Sequence, residues 1–298
     1  MIQKQLGGSL DMPLVSVVMS FRNARRTLRA AINSVLWQTY THWELILLDD
    51  GSSDGSEQIL KEIKDTRIRA FRDTQCRGLP FQLNKGVSFS QGEYMARMDA
   101  DDVAFPERFE RQVAFLRANP SVDLLATSAL MINEANEPFG ILRTGNSHDD
   151  ICHRPWLGFP MPHPTWMGRT EWFRRNPYNE WAHKCEDQVL LHRTYRYSTF
   201  AGLAEPLLAY RYARLSVEKS LVGRWYYLQA MKKANDRNNF ILGSMAHTVA
   251  AGRDLLSIAF GLDSLVIKGR VGEADADVVR KWHEMQLRLE ALTGQADV

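Results

Sequence analysis

The chain has 298 residues, enough to bury one large core, or one core with an appendage. Hydrophobic residues make up 45% and charged residues 24%, an ordinary balance for a globular protein. Thirty-seven Lys and Arg against 35 Asp and Glu leave a net charge of +2, which excludes the global field that selects nucleic acid as a partner. Three cysteines, Cys76, Cys152 and Cys185, share no metal-ligand spacing and read as free thiols in a reducing compartment. No basic segment followed by an apolar one opens the chain, and the longest apolar-rich stretch, 240–267, is broken by Arg253, Asp254 and Asp263. The expectation is a cytoplasmic chain, with peripheral contact at the inner face of a membrane left open.

The first half alternates strand and helix signals. Leu14-Val15-Ser16-Val17-Val18-Met19-Ser20 is an apolar run of the buried parallel type, and 25–38 carries Leu28, Ala31, Ile32, Val35 and Leu36 at helical spacing. Glu44-Leu45-Ile46-Leu47-Leu48 predicts a second strand ending in Asp49-Asp50-Gly51. Asp54 and Glu57 then form an Asp-type capping box for a helix through Ile59, Leu60 and Ile63. Strands over 68–71, 94–98 and 122–126 alternate with helices over 80–90 and 106–119. Such repetition specifies an α/β fold with a mostly parallel sheet flanked by helices. After Thr127 the regularity weakens. A hairpin turn is expected over 133–140, and Pro155, Pro160, Pro162 and Pro164 mark an irregular wall. A helix over 186–197 and a strand over 207–212 follow. The tail from Ser216 is helical in pattern near 222–236, 244–260 and 275–292.

Asp99-Ala100-Asp101-Asp102 closes the strand at 94–98. Carboxylates so close repel one another unless a cation sits among them, and hard divalent ions such as Mg²⁺ or Mn²⁺ take oxygen ligands. The competing reading makes Asp102 or a neighbour the cap of the helix from Pro106. A calcium loop fails, because Ala104 stands where its glycine belongs. A second such match, from Asp50, fails because Lys61 replaces the required Glu. Open parallel sheets bind ligands at the carboxyl ends of their strands. Ser20-Phe21-Arg22-Asn23, Asp49-Asp50-Gly51-Ser52 and Asp99-Ala100-Asp101-Asp102 all fall there. Asp49 or Asp50 suits a base N–H, or else shapes an Asp-Gly turn. Glu186 and Asp187 open a helix, where acids are most often first-turn residues favoured by the macrodipole, and where a carboxylate across the cleft from a metal-bound phosphate would also make a general base.

The ordered motifs S-V-V-M-S-F-R-N-A, L-L-D-D-G-S-S-D-G-S, G-E-Y-M-A-R-M-D-A-D-D, H-P-T and C-E-D-Q-V-L-L resemble glycosyltransferase family 2 over about 13–216. The resemblance implies a GT-A (Rossmann-like) fold, a nucleotide-sugar donor that is usually UDP-linked, Mn²⁺ or Mg²⁺, and an inverting mechanism. It places Asp49 and Asp50 on the nucleoside, with Ser20, Asn23 and Arg77 on the donor. It makes Asp99 and Asp101 the D-x-D pair, with Asp101 on the metal, and Asp187 the acceptor-activating base beside Glu186. Two departures stand out: Ser20-Phe21-Arg22-Asn23 replaces Pro-x-Tyr-Asn, and Tyr212-Ala213-Arg214 follows Arg211 where a His often stands. Arg211 or Arg214 either steadies a diphosphate or bridges on the surface.

The resulting division is a transferase domain over 1–215, with a donor half about 13–127 and an acceptor half about 128–215, and a helical extension over 216–298. Four tryptophans, Trp156, Trp166, Trp172 and Trp181, crowd His163, so His163 and Trp166 are candidates for an acceptor wall, against ordinary core packing. His163 lacks the second ligand a metal needs. The expected acceptor is a glycan or lipid-linked saccharide, as in cell-envelope polysaccharide biosynthesis. Arg224, Lys232, Lys233 and Arg237 with Trp225, Tyr226 and Tyr227 suit an anionic membrane, a homodimer contact or a plain covering layer. The rival functions are a sugar-nucleotide nucleotidyltransferase, which would want a glycine-rich loop after the first strand, and a non-catalytic nucleotide-sugar binding module.

Overall fold

In the computed structural model, which describes residues 12–212, 216–260, 269 and 271–293, nine strands form one sheet. β1 (Val15–Phe21) is central because it is apolar on both faces. Val15, Val17 and Met19 point to one side, where α1 (Leu28–Leu36), α2 (Ser56–Glu62) and α4 (Arg108–Ala118) supply Ile32, Val35, Ile59, Phe109 and Val113. Val18 points to the other side, into a second core built by α3 (Leu79–Phe89), α6 (Thr170–Arg175), α7 (Glu186–Thr194) and α8 (Val217–Lys233).

β2 (Trp43–Asp50) and β4 (Tyr94–Asp99) flank β1 in parallel, and β3 (Ile68–Asp73) pairs with β2. Beyond β4 the sheet changes character. The three-residue β8 (Met167–Arg169) pairs antiparallel with both β4 and β6 (Leu124–Ile132). β9 (Phe200–Arg211) runs parallel to β6, and the two-residue β5 (Val103–Ala104) pairs antiparallel with β9. β7 (Pro138–Leu142) closes the hairpin expected over 133–140, where Asn133 Oδ1 accepts from the N–H groups of Ala135 and Glu137, both at 2.9 Å. α5 (His148–Cys152) follows β7. After β9, α8 and α9 (Arg237–Ala259) form a hairpin, and α10 (Ala276–Thr293) packs Trp282 and Met285 against Val103, Leu130 and Ile132.

Several elements differ from expectation. The strands over 122–126 and 207–212 extend to Ile132 and back to Phe200. β5, β8 and α6 were not expected, being too short for any periodicity to show. Asp102 is not a helix cap: it is fully buried, and its Oδ1 accepts the Arg211 N–H of β9 at 2.9 Å. The Asp54–Glu57 capping box does not form either. Asp54 Oδ1 instead accepts from Ser56 N two residues on at 3.0 Å, and its Oδ2 accepts from Arg25 N at 2.9 Å.

Candidate active site

The parallel register brings three strand ends together: Ser20 lies between Leu48 and Asp99, and Phe21 lies opposite Asp49. Above the first two strands, acidic side chains organise the loops. Asp50 Oδ1 accepts from Arg77 N and Gln82 Nε2, both at 2.7 Å, and Oδ2 from Gly78 N at 3.0 Å and Cys76 Sγ at 3.2 Å. Burial opposes its charge, but these donors prevail and hold the carboxyl below its ordinary value. Gly78 makes the turn possible at φ 88°, a left-handed conformation that costs other residues energy. Asp49 is fully buried, with Oδ1 accepting from Ser52 N at 2.8 Å and Arg72 Nε 3.4 Å from Oδ2. Both members of the expected nucleoside pair are therefore buried: Asp50, at 5% exposure, orders the segment 76–82, and Asp49 anchors the loop beneath it. Asn23, itself at φ 55°, donates its N–H to Ser52 Oγ and accepts from Ser53 N, both at 2.9 Å. The Arg77 guanidinium stacks 4.2 Å above the Phe81 ring, and Arg22 Nη1 reaches Cys76 Sγ at 3.3 Å.

At the end of β4, one oxygen from each of Asp99, Asp101 and Asp102 lies within 4.8 Å of the others. Asp101 is open to solvent on one side, yet desolvation on its protein side and the charge of Asp99 push its carboxyl up to about 6. Burial, Asp99 and Asp101 push Asp102 upward as well, and its Oδ2 has no hydrogen-bond partner. Crowded hard oxygens with one buried orphan fit a divalent cation, which Asp99 and Asp101 would hold. Arg211 braces this loop, donating Nε to the Asp101 carbonyl and Nη1 to the Asn133 carbonyl, both at 3.0 Å. Arg214 lies outside the described residues.

Beneath Asp99 lies Arg97, which the sequence reading passed over. Its Nη2 donates to Asp99 Oδ1 at 2.5 Å, while its buried Nε and Nη1 have no partner. An arginine inside the run Tyr94-Met95-Ala96-Arg97-Met98 was the available signal. Arg97 and Asp99 line a cavity of about 670 Å³ together with His163, Glu186, Asp187 and Gln188. Glu186 and Asp187 stand in the first turn of α7, where the helix dipole alone would favour their charged forms. Burial wins instead. It pushes Glu186 up to about 7, with help from Asp187, and it raises Asp187 although Gln188 Nε2 donates to it at 3.2 Å. Gln188 also fixes the proline-rich wall through its Oε1, which accepts from Phe159 N at 2.7 Å.

His163 sits in a 3₁₀ turn (His163–Thr165) with Nε2 2.9 Å from Tyr178 Oη and Nδ1 4.0 Å from Glu186 Oε1. Burial and the charge of Arg97 push its pKa well below the ordinary value, so the ring is neutral. Trp166 is not part of the wall. It is fully buried behind His163, with its ring N–H on the Met161 carbonyl at 3.2 Å, and Trp172 is likewise core. Tyr210, Arg143 and Lys184 also line the cavity and were not expected there.

Residues 16–175 match the family described as glycosyl transferase family 2. The chain is 41% identical over 125 residues to EpsE of Bacillus subtilis (strain 168), covering 41% of this chain and 45% of that one. It is 34% identical over 110 residues to WfgD of Escherichia coli, a UDP-Glc:alpha-D-GlcNAc-diphosphoundecaprenol beta-1,3-glucosyltransferase, covering 37% and 44%. These alignments therefore span less than half of either relative. Crystalline S. aureus TarS 1–349 in complex with UDP-GlcNAc superposes with a TM-score of 0.62 at 16% identity, over 91% of this chain and 79% of that one. That likeness shows the GT-A fold. With more than half its length matching the family, the chain belongs to glycosyl transferase family 2.

Proposed function

We propose that the cavity transfers a sugar from a nucleoside-diphosphate sugar, UDP-linked, to a hydroxyl of a glycan or lipid-linked saccharide, with inversion at the anomeric carbon. The observation that carries this reading is one cavity lined both by Asp99 of the acidic cluster and by Asp187. Similarity to WfgD supports the UDP donor and the lipid-linked acceptor. The donor half, about 13–127, holds the nucleoside by Asp50 and the Arg77 loop that it orders, with Ser20 and Asn23 shaping the floor. The acceptor half, about 128–215, offers His163 and the wall at Phe159, and 216–298 is an extension. Mn²⁺ or Mg²⁺ at Asp99 and Asp101, when bound, neutralises charge on the departing nucleoside diphosphate.

Asp187 accepts the proton of the acceptor hydroxyl. The hydroxyl oxygen forms the new bond to the anomeric carbon as the opposite bond to the diphosphate oxygen breaks, and the electron pair leaves with the diphosphate. Glu186, its carboxyl raised to about 7, gains its proton before Asp187 does as pH falls, so Asp187 is the member of the pair that keeps the negative charge. Neutral His163 adds no cation that would pair with that base. Incubation with a panel of nucleotide sugars, Mn²⁺ and a lipid-linked acceptor tests the reading. Release of nucleoside diphosphate with formation of a glycoside is expected. Pyrophosphate release would mark a nucleotidyltransferase, and silence across the panel a binding module.

A further inference from the structure

α9 turns its polar face inward. Its buried residues are Gly243, His247, Asp254 and Ser257. Asp254 accepts from Ser220 Oγ at 2.9 Å and Arg224 Nη2 at 2.6 Å, and Arg224 Nη1 lies 3.2 Å from His247 Nδ1, so an ion-pair network joins α8 to α9. Its outward face is apolar: Ile241, Met245, Val249, Leu256 and Phe260 are 58%, 68%, 75%, 61% and 73% exposed. With 3.6 residues per turn, the outward apolar positions spread over an arc of about 140°, from Leu255 to Phe260, which they share with the exposed Asn238 and Thr248. A helix facing water shows the opposite arrangement. Large contiguous apolar surface of this kind marks a site of interaction.

Charge identifies the occupant. Arg237 lies at one edge of the arc and Arg253 at the other, and no acidic side chain lies on the outward arc. Arg253 remains 54% exposed while its Nη2 reaches Asp254 Oδ1 at 3.1 Å. A two-fold contact with a second copy would set the cationic rims against each other, with no carboxylate on the arc to meet them. A bilayer containing anionic lipid supplies both a broad apolar layer and negative headgroups. Among the described residues no helix is long and apolar enough to cross a membrane, whereas the 23 residues of α9 can lie along its surface for about 34 Å.

We propose that the outward face of α9 docks the protein on the surface of an anionic lipid bilayer. This goes beyond the transferase reading, because no residue of that face lines the active cavity. Co-sedimentation of the full chain with vesicles of phosphatidylcholine, alone or mixed with phosphatidylglycerol, tests it. The protein is expected to partition onto the mixed vesicles more than onto the neutral ones. Val249→Glu combined with Leu256→Glu should weaken that partition about tenfold or more, with an unchanged circular dichroism spectrum, since both side chains face outward. Arg237→Glu should weaken it about fivefold or more, and added salt should shrink that difference. Absence of partition, or equal partition by the glutamate pair, overturns the proposal. So does a concentration-dependent dimer that the glutamate pair dissolves in protein that ignores vesicles. No nucleotide sugar enters the measurement, so its failure leaves the transferase reading standing, and failure of transfer leaves the docking result standing.

Discussion

Arg97 connects the two halves of the site through charge. It pairs with Asp99 and lowers the pKa of His163, and its field also favours the ionised form of Asp187. Arg97→Met would leave Asp99 without its partner, and the expected loss of stability in urea unfolding is about 3 kcal/mol, the low end for breaking a buried pair because Asp99 reaches solvent. At Asp101 the expectation concerns the cation: Asp101→Asn should cut transfer at least about a hundredfold and raise the Mn²⁺ concentration needed for half-maximal rate. The pH dependence follows from Asp187. A base works only unprotonated, and burial raises its pKa, so transfer should fall with decreasing pH at a less acidic point than an ordinary aspartate, near 3.9, would set. Glu186, raised to about 7, is already protonated where Asp187 titrates, so Glu186→Gln should leave that acid limb in place, which a rate–pH profile measures directly.

At the scale of elements, the close contact of α3 with β1 is the tightest constraint on the donor half. A Cβ added at Gly86 would stand 2.3 Å from Val18 Cγ1, and both residues sit in the middle of their elements. Gly86→Ala should therefore cost about 1–3 kcal/mol in chemical unfolding despite the better helix propensity of alanine. The donor-side elements could be read from the chain because β1, β2 and β4 are continuous apolar runs followed by amphipathic helices. The acidic cluster was legible for the same reason, since strand ends in a parallel sheet share one rim. What stayed hidden was non-local. β8 spans three residues and exists only because β4 and β6 hold it on either side. Asp102 looks like a cap until β9, more than a hundred residues later, brings the Arg211 N–H to it. The indole ring of Trp166 could not be told from a sugar platform until its burial and its bond to the Met161 carbonyl were known.

On the scale of the whole molecule, the sheet divides labour between its parallel part, which organises Asp50, Asp99 and Asp101, and its mixed part, which carries the loops leading to His163 and Asp187. α7 links that mixed part to the C-terminal hairpin: its first turn holds Asp187, and its flank packs Val189 and Leu190 in the same core as Tyr227 and Met231 of α8. The outward face of α9 would then present a surface-bound protein to lipid-borne saccharides, with the base positioned by the helix next to that hairpin. The division of labour inside the cavity is the central claim, and Asp187→Asn tests it most directly when donor binding by calorimetry and transfer by product analysis are measured on the same preparation. Donor affinity within about twofold of wild type, with transfer reduced by about 10²–10⁴, is the predicted result. Lost donor affinity, or transfer that persists, would contradict Asp187 as the base.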